Sequence, residues 1–261
     1  IFRADRKAVF ITADNGAPTL DRFADELPGQ FINVGIAEQQ LIGMACGMAF
    51  EGRKVYTYAI APFVTLRCYE QTKLDVCAMN LPIVSIGVGA GYAYDIMGPT
   101  HHTVEDITIM RALPNMVVYS PADGITAAAL APVIHEDPRP QYIRFDRAGI
   151  SDLHQDRVFR VQDGLVSMRE GRDVCLIASG VMAHQAMKVA DALAALGIQA
   201  GVIDLFRIKP IEVATLHAAM GGASRIVSME EHLVAGVMGS AVVETLVDAG
   251  ITLPVVRIGQ R

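Results

Sequence analysis

One glutamate in this chain is placed to do acid–base chemistry. Glu38 directly follows the mostly apolar segment Phe31–Ala37, and small residues come next, from Gly43 to Ala49. A strand that leads into a helix of this composition places Glu38 where little water reaches, and burial disfavours the charged form of a carboxyl group. Such a group can hold or exchange a proton at neutral pH. The alternative is that Glu38 only caps the helix N-terminus, where a negative charge is also favoured.

Two adjacent histidines form a second candidate site. His101 and His102 follow Gly98 and Pro99 in a loop on the carboxyl side of a predicted strand, which is where open α/β sheets bind ligands. Neighbouring side chains in an extended loop diverge, so we expect only one of the two to face a site. The alternative is that both histidines are exposed or act as caps. A zinc pair is not predicted, because no third ligand lies nearby.

Glycines and arginines follow two other predicted strands. The segment Gly87–Gly91 lacks the GxGxxG spacing of a dinucleotide site, so we interpret it as a loop whose backbone lies close to a ligand. Arg144 and Arg147 lie at the end of another predicted strand. Arginine suits bidentate phosphate recognition, although an arginine at a strand end is also commonly solvated or ion-paired.

Apolar runs alternate with helical patterns along the whole chain, which is typical of parallel sheets flanked by helices. We therefore predict an α/β protein of two domains, 1–148 and 165–261, joined by a polar linker over 149–164. The predicted elements are strands at 9–13, 54–57, 82–87, 116–120, 141–145, 173–178, 200–204, 225–228 and 255–258, a further strand before Glu38, and helices near 36–50, 62–79, 104–112, 123–135, 181–196, 211–220 and 236–248.

Composition excludes several classes of protein. The net charge of −6 argues against a nucleic-acid partner, and no apolar run reaches the roughly 20 residues of a membrane span. The first residues do not resemble a secretory signal, and the four cysteines are interpreted as buried free thiols. We therefore expect a cytoplasmic protein. The hydrophobic content of 52% is sufficient for a core and a large subunit interface.

The order of the motifs resembles the transketolase family. The resemblance covers nearly the whole chain: a pyrimidine-binding domain first, then the family's C-terminal domain. It rests on the segments FINVGIAEQ, TYAIAPF, RCYEQ, GPTHH, EDITIMRALPNMVVYSPAD, YIRFDR, DVCLIASG, LGIQAGVIDLFRIKPI and IVSMEEH. The deoxyxylulose-phosphate synthase branch shares much of this pattern, and 2-oxoacid dehydrogenase β-subunits share the architecture.

The resemblance implies a thiamine diphosphate site. It assigns Glu38 to the aminopyrimidine ring of the cofactor, where the acid promotes the imino tautomer, and Phe63 to stacking on that ring. Ile60 and Arg67 fall beside the cofactor in the same way. The implied catalytic residues are Glu38 and His101.

The resemblance also implies substrate contacts. His101 and His102 correspond to the loop that hydrogen-bonds the sugar, and Arg144 and Arg147 fall where the family binds sugar phosphate. One position departs from the family pattern: an Asp normally precedes the GPTH element, and this chain has Met97 there. We therefore expect altered sugar recognition.

The family's magnesium–diphosphate half has no counterpart in this sequence: no GDG with a downstream Asn is present. The resemblance thus implies the β-type subunit of a split transketolase, a magnesium-dependent enzyme that transfers a two-carbon ketol unit between sugar phosphates or related small sugars. The partner subunit would hold the diphosphate and Mg²⁺, in a heterotetramer with two subunits of each kind. Two alternatives stay open: a decarboxylating enzyme like deoxyxylulose-phosphate synthase or a 2-oxoacid dehydrogenase β-subunit, and a non-catalytic partner subunit.

Overall fold

A computed structural model describes residues 1–14, 18–147 and 149–261. The chain forms two compact units. One comprises Ile1–Val117 and Ala131–Arg147, and the other comprises Val118–Leu130 and Ala148–Arg261. Val118–Leu130 groups with the second unit, although we placed it in the first domain. The predicted domain and linker boundaries themselves stay a prediction.

Twelve strands occur in the described part of the chain. They are β1 (Ala8–Thr12), β2 (Phe31–Asn33), β3 (Lys54–Ile60), β4 (Ile83–Val88), β5 (Val117–Tyr119), β6 (Gln141–Phe145), β7 (Val166–Arg169), β8 (Val174–Ala178), β9 (Ala200–Asp204), β10 (Arg207–Lys209), β11 (Ile226–Leu233) and β12 (Val255–Gln260).

Helices alternate with these strands. They are α1 (Asp21–Glu26), α2 (Glu38–Phe50), α3 (Ala61–Val64), α4 (Tyr69–Gln71), α5 (Asp106–Ala112), α6 (Gly124–Glu136), α7 (Val181–Ala195), α8 (Val213–Ala219) and α9 (Met238–Asp248). A π-helical turn, Thr72–Cys77, follows α4 directly.

The first unit contains a parallel sheet with the strand order β6–β4–β3–β1–β2. Every residue of β1 is buried, as are five of the seven residues of β3 and four of the five residues of β6. Strands of this kind require cover on both faces, and α2 supplies part of it through Leu41 and Ile42, which are fully buried. The carboxyl ends of β3, β4 and β6 are therefore neighbours at one edge of the sheet.

The second unit contains a sheet with the order β12–β11–β8–β9–β7, parallel except for β7. Tyr119 of β5 pairs with Arg207 of β10 in antiparallel fashion. Two mostly parallel sheets flanked by helices confirm the predicted fold class. Strands β7 and β10 were not predicted, because runs of three or four residues with charges in them give little alternation to detect.

The predicted helix over 62–79 is wrong as a single element. Helix α3 ends at Val64, and Thr65 follows it with φ −106° and ψ −76°. The Thr65 hydroxyl donates a hydrogen bond of 2.6 Å to the carbonyl of Ala61. The Thr65 N–H donates to the same carbonyl at 3.1 Å, and a side-chain bond of this type commonly bends a helix. Arg67 lies in the segment between α3 and α4, where the helix is interrupted.

A buried cluster of ionisable side chains lies within the second unit. His154 Nδ1 is 2.9 Å from Asp123 Oδ2, and His154 Nε2 is 3.4 Å from Asp204 Oδ2. Asp123 accepts further hydrogen bonds from backbone N–H groups and from Thr126. The Asp204 carboxylate, which is fully buried, accepts no hydrogen bond from the described residues.

Candidate functional site

The residues predicted to do chemistry gather at one edge of the first unit's sheet. Glu38 begins the helix after β2, Phe63 lies just after β3, His101 lies in the loop after β4, and Arg147 follows β6. The carboxyl ends of parallel strands in an open sheet form the usual ligand crevice. The strand order therefore brings together side chains that are far apart in sequence.

Glu38 is the first residue of α2 and is only 3% exposed. A tight turn places it there: the backbone N–H of Gly35, at φ +72°, donates to Asn33 Oδ1 (2.9 Å), and the N–H of Ala37 donates to the Gly35 carbonyl (2.8 Å). The sequence suggested an isolated carboxyl group. The structure instead pairs it with a cation, because Arg67 Nη1 donates to Glu38 Oε2 at 2.6 Å.

The ion pair engages only one of the two Glu38 oxygens. No other hydrogen bond to this carboxylate occurs among residues 1–14, 18–147 and 149–261. The ion pair with Arg67, together with burial, goes beyond what a simple helix cap requires. Glu38 thus presents one fixed oxygen and one available oxygen at the head of α2.

Phe63 lies beside this ion pair. Its ring is half-buried, whereas its neighbours Pro62 and Val64 are buried. Arg67 Cζ lies over the ring, 4.4 Å from its centroid. Ile60, the last residue of β3, is also half-buried. Cys68 is inert here, because burial raises the pKa of its thiol to about 12, and its Sγ donates to the Phe63 carbonyl at 3.2 Å.

The two adjacent histidines have different neighbours, in a turn where the N–H groups of both donate to the Gly98 carbonyl. The His101 ring meets the Phe63 ring edge-on, with centroids 5.2 Å apart, and its Nδ1 is 2.9 Å from Thr100 Oγ1. His102 turns into the loop instead. Its Nε2 lies 3.2 Å from the Asp95 carbonyl oxygen. His101 is therefore the histidine that lies beside Phe63.

The two arginines after β6 also have different environments. Arg144 is 5% exposed, and its Nε lies 3.2 Å from Asp106 Oδ2, which also accepts a hydrogen bond of 2.6 Å from the Tyr142 hydroxyl. Arg147 is exposed, and its guanidinium lies 4.8 Å from the centroid of the Tyr94 ring. Arg147 can reach a ligand, whereas Arg144 is held by a buried carboxylate.

Met97 ends a short 3₁₀ turn, Asp95–Met97, and is 52% exposed. Ile96, beside it, is 87% exposed. This turn therefore presents two apolar side chains where the family pattern has an acidic one. Tyr94, just before the turn, was not among the predicted site residues. The signal that could have indicated it is the Gly87–Gly91 segment, whose glycines leave space for a ring.

Comparison with known sequences decides the family. Residues 1–151 match the pyrimidine-binding domain of transketolase, and residues 164–261 match the transketolase C-terminal domain. The chain belongs to the transketolase family. No helix in the described part of this transketolase chain is long and apolar enough to cross a membrane.

Relatives of this transketolase chain include separately encoded subunits. The chain is 35% identical to an apulose-4-phosphate transketolase subunit of Phocaeicola vulgatus, over 98% of this chain and 83% of that protein. It is 34% identical to a 6-deoxy-6-sulfo-D-fructose transketolase subunit of a Clostridium species, over 98% and 80%. A 1-deoxy-D-xylulose-5-phosphate synthase of Thermomicrobium roseum is 36% identical, but the match covers only 38% of it.

A solved structure agrees with these relatives. A split-gene transketolase, described as an inactive β4 tetramer, superposes with a TM-score of 0.88 at 34% identity, over 98% of this chain and 84% of that one. The chain is thus a β-type subunit of a split transketolase, a transferase. Membership of the family implies dependence on thiamine diphosphate and on an N-terminal-half partner subunit.

The residues at the sheet edge fit one part of that cofactor. A half-buried aromatic ring, an apolar strand end and a buried carboxylate with one available oxygen suit a flat, nitrogen-containing ring. They do not suit a metal–diphosphate group. The described residues contain no group of three or more His, Cys, Asp or Glu side chains that could hold a metal ion.

Proposed function

We propose that this chain supplies the aminopyrimidine half of a thiamine diphosphate site and, together with a partner subunit, transfers a two-carbon ketol unit between sugars. The observation that supports the proposal is the Glu38–Arg67 ion pair beside the Phe63 ring. A buried carboxylate next to an accessible aromatic ring serves a heteroaromatic ligand, and a scaffold protein has no need of it.

The chain's own residues have separate tasks in this proposal. Bound thiamine diphosphate supplies the nucleophilic carbon of the reaction. Glu38 Oε1 holds a proton at a ring nitrogen, while Arg67 fixes Oε2 and so sets the orientation of the carboxyl group. Phe63 and Ile60 provide the apolar wall against the ring, where an offset aromatic contact contributes about 0.5–1.5 kcal/mol beyond burial.

His101 is the proposed catalytic residue toward the sugar. Because its Nδ1 is engaged by Thr100 Oγ1 at 2.9 Å, its Nε2 is the atom that can hydrogen-bond a substrate hydroxyl. His102 was predicted to touch substrate as well. Its bond to the Asp95 carbonyl favours a role in holding the loop.

The substrate that we propose is a sugar with an anionic end. Arg147 is exposed, and its side chain forms no ion pair with any described residue, so its N–H groups are free to bind a phosphate or sulfonate. The names of two relatives include such groups, a phosphate in one and a sulfo group in the other. The buried ion pair of Arg144 favours a supporting role there.

Met97 is the proposed reason for altered sugar recognition. An exposed thioether cannot accept hydrogen bonds from sugar hydroxyls as a carboxylate does, and Ile96 beside it makes the turn more apolar. We therefore propose that the substrate has fewer hydroxyl groups to satisfy at this point than the usual pentose phosphates.

The partner subunit is proposed to hold the diphosphate and Mg²⁺, in a heterotetramer with two subunits of each kind. The lack of a metal-binding group in the described residues supports this division of labour. The solved relative consisting of β subunits alone is described as inactive. We expect the same of this chain without its partner.

Calorimetry tests the proposal. Thiamine diphosphate and Mg²⁺ are titrated into this chain, into the chain co-expressed with the product of the adjacent gene, and into complexes with Glu38→Gln or Phe63→Leu. We expect binding in the complex and weaker binding in both variants, with Arg53→Met, a change at an exposed arginine, as the control. Absence of binding in every sample would favour the non-catalytic alternative. Release of CO₂ that depends on pyruvate would favour the decarboxylating one.

A further inference from the structure

A continuous row of ring and guanidinium contacts joins Arg67 to Arg147. Arg67 lies over Phe63, and Phe63 meets His101, as described above. The His101 ring then lies 5.6 Å from the Tyr94 ring, at an interplanar angle of 58°. Tyr94 also contacts the guanidinium of Arg147, whose Cζ lies 4.8 Å from the centroid of the Tyr94 ring. Among residues 1–14, 18–147 and 149–261, Tyr94 is thus the one ring in contact with both His101 and Arg147.

The backbone fixes the position of the Tyr94 ring. Gly89 has φ +89°, and a Cβ added there would lie 2.1 Å and 2.3 Å from two carbons of that ring. The ring therefore packs directly on the main chain of Gly89, whose N–H donates to the Phe145 carbonyl at 2.9 Å. Two hydrogen bonds between Gly91 and Thr103, of 3.0 Å and 2.8 Å, close the loop that contains Tyr94. Tyr94 is held by the end of β4 and the start of this closed loop.

We propose that Tyr94 is a positioning residue that sets the spacing between His101 and the anion-binding guanidinium of Arg147. This inference rests on the proposed function of the site. A guanidinium held over an aromatic face keeps its position while its N–H groups stay available to an anion. Arg147 is exposed, and among the described residues its side chain forms no hydrogen bond, ion pair or ring contact other than the one with Tyr94. Without the ring, Arg147 loses its fixed distance from His101.

The test compares Tyr94→Leu, which removes the ring, with Tyr94→Phe, which keeps it. In the complex with the partner subunit, we expect Tyr94→Leu to raise KM for a ketose phosphate by about 2- to 5-fold, the range of an exposed cation–π contact. KM for the unphosphorylated ketose should not change. Tyr94→Phe should keep both KM values within the error of the wild type.

A double-mutant cycle separates positioning from general damage. In an Arg147→Gln background, Tyr94→Leu should no longer affect KM for the ketose phosphate, because the two residues act through one contact. Gly89→Ala provides an independent route, since it displaces the ring without altering it and should mimic Tyr94→Leu. Equal effects of Tyr94→Leu on both ketoses, or an unchanged effect in the Arg147→Gln background, would overturn the proposal.

A measurement without catalysis distinguishes failure of this inference from failure of the proposed function. Inorganic phosphate is titrated into the full chain carrying [¹⁵N]arginine, and the Nε–H resonance of Arg147 gives the Kd. We expect Tyr94→Leu to raise this Kd by about 2- to 5-fold and Tyr94→Phe to leave it unchanged. Absence of ketol transfer with normal phosphate binding would refute only the function. Equal Kd values in all three proteins would refute only the role of Tyr94.

Discussion

Arg67 Nη1 lies 2.6 Å from Glu38 Oε2, although the two residues are 29 positions apart in the chain. The carboxylate is 3% exposed and the arginine side chain 44% exposed, so the pair lies at the boundary between core and solvent. The guanidinium compensates a buried charge and at the same time stacks on Phe63. One arginine therefore orients both groups that we assign to the cofactor ring.

The first prediction concerns this arginine. We expect Arg67→Met to lower the free energy of unfolding by about 1 kcal/mol, because a buried carboxylate loses its hydrogen-bond donor while the half-exposed position allows water to replace part of the interaction. It should also weaken thiamine diphosphate binding in the complex. Urea unfolding and calorimetry measure the two effects. Arg53→Met is the matched control, and an equal loss of stability in both variants would contradict the role of the ion pair.

The second prediction concerns Gly87 in β4. A Cβ there would lie 2.7 Å from the Tyr142 hydroxyl oxygen and 2.9 Å from Ala61 Cβ. We expect Gly87→Ala to destabilise the chain by about 1–3 kcal/mol through overpacking. Gly43→Ala in α2 is the control, because nothing lies within 4 Å of the added Cβ and alanine favours a helix by up to about 1 kcal/mol. Thermal unfolding that ranks the two variants the other way would refute this.

The third prediction concerns the buried cluster around His154. Burial, with the nearby charge of Asp123, raises the pKa of Asp204 well above its usual value. Burial alone would also raise the pKa of Asp123, but hydrogen bonds from Thr126 and His154 outweigh it and hold that pKa well below the usual range. At pH values between the usual carboxyl pKa and the raised pKa of Asp204, this carboxyl group binds more protons in the folded state than in the unfolded state. Its contribution to stability therefore falls as pH rises.

Asp204→Asn removes that dependence. We expect the free energy of unfolding of the variant to fall less than that of the wild type between pH 5 and about 7.5. Asp123 is ionised in both states over this range and adds no slope. The pH range stops below the pKa of Lys54, which burial lowers to about 8, because titration of that amine would add its own pH dependence. Urea unfolding at several pH values makes the measurement, and parallel profiles for the two proteins would show that Asp204 is ionised in the fold.

The fourth prediction concerns three cysteines. Burial raises the pKa of the thiols of Cys46, Cys68 and Cys175 to about 12. The thiolate is the reactive form, so at pH 8 we expect iodoacetamide to leave these residues unmodified in the folded chain and to label them in urea. Peptide mass mapping identifies each site. Rapid labelling of any of the three without urea would contradict the packing described here.

The fifth prediction concerns Met97. We expect Met97→Asp in the complex to shift the acceptor preference toward more hydroxylated aldehydes, because a carboxylate is a strong hydrogen-bond acceptor and a thioether only a weak one. The ratio of kcat/KM values for two acceptors that differ by one hydroxyl group measures the shift. Met97→Leu, of similar volume, is the control. An unchanged ratio in Met97→Asp would show that this position does not set specificity.

Sequence patterns predicted the elements with long, uniform signals. The runs that became β1, β3 and β8 are apolar and bounded by polar residues, and the helix that starts at Glu38 follows such a run. The break after α3 was not predictable from periodicity, because it occurs in the backbone angles of Thr65 and leaves no mark in the pattern of apolar residues.

Within the site, motif order indicated Glu38, Phe63 and His101, and each lies at the same sheet edge. Sequence reasoning did not predict that Arg67 would pair with Glu38, since no local pattern encodes a contact over 29 positions. It also did not separate Arg144 from Arg147. The position of an arginine in the motif does not distinguish a buried side chain from an exposed one. The difference arises from Asp106, which lies in another element and pairs with Arg144.

The hydrogen bonds between Gly91 and Thr103 have a consequence for how this enzyme family can diversify. They join the two ends of the loop that contains Tyr94, Met97 and His101, while Glu38 and Phe63 lie on helices that start outside it. A new sequence grafted between these anchors would leave the neighbouring strands in register. Because we propose that this loop recognises the sugar, laboratory evolution of new substrates should begin with libraries confined to it.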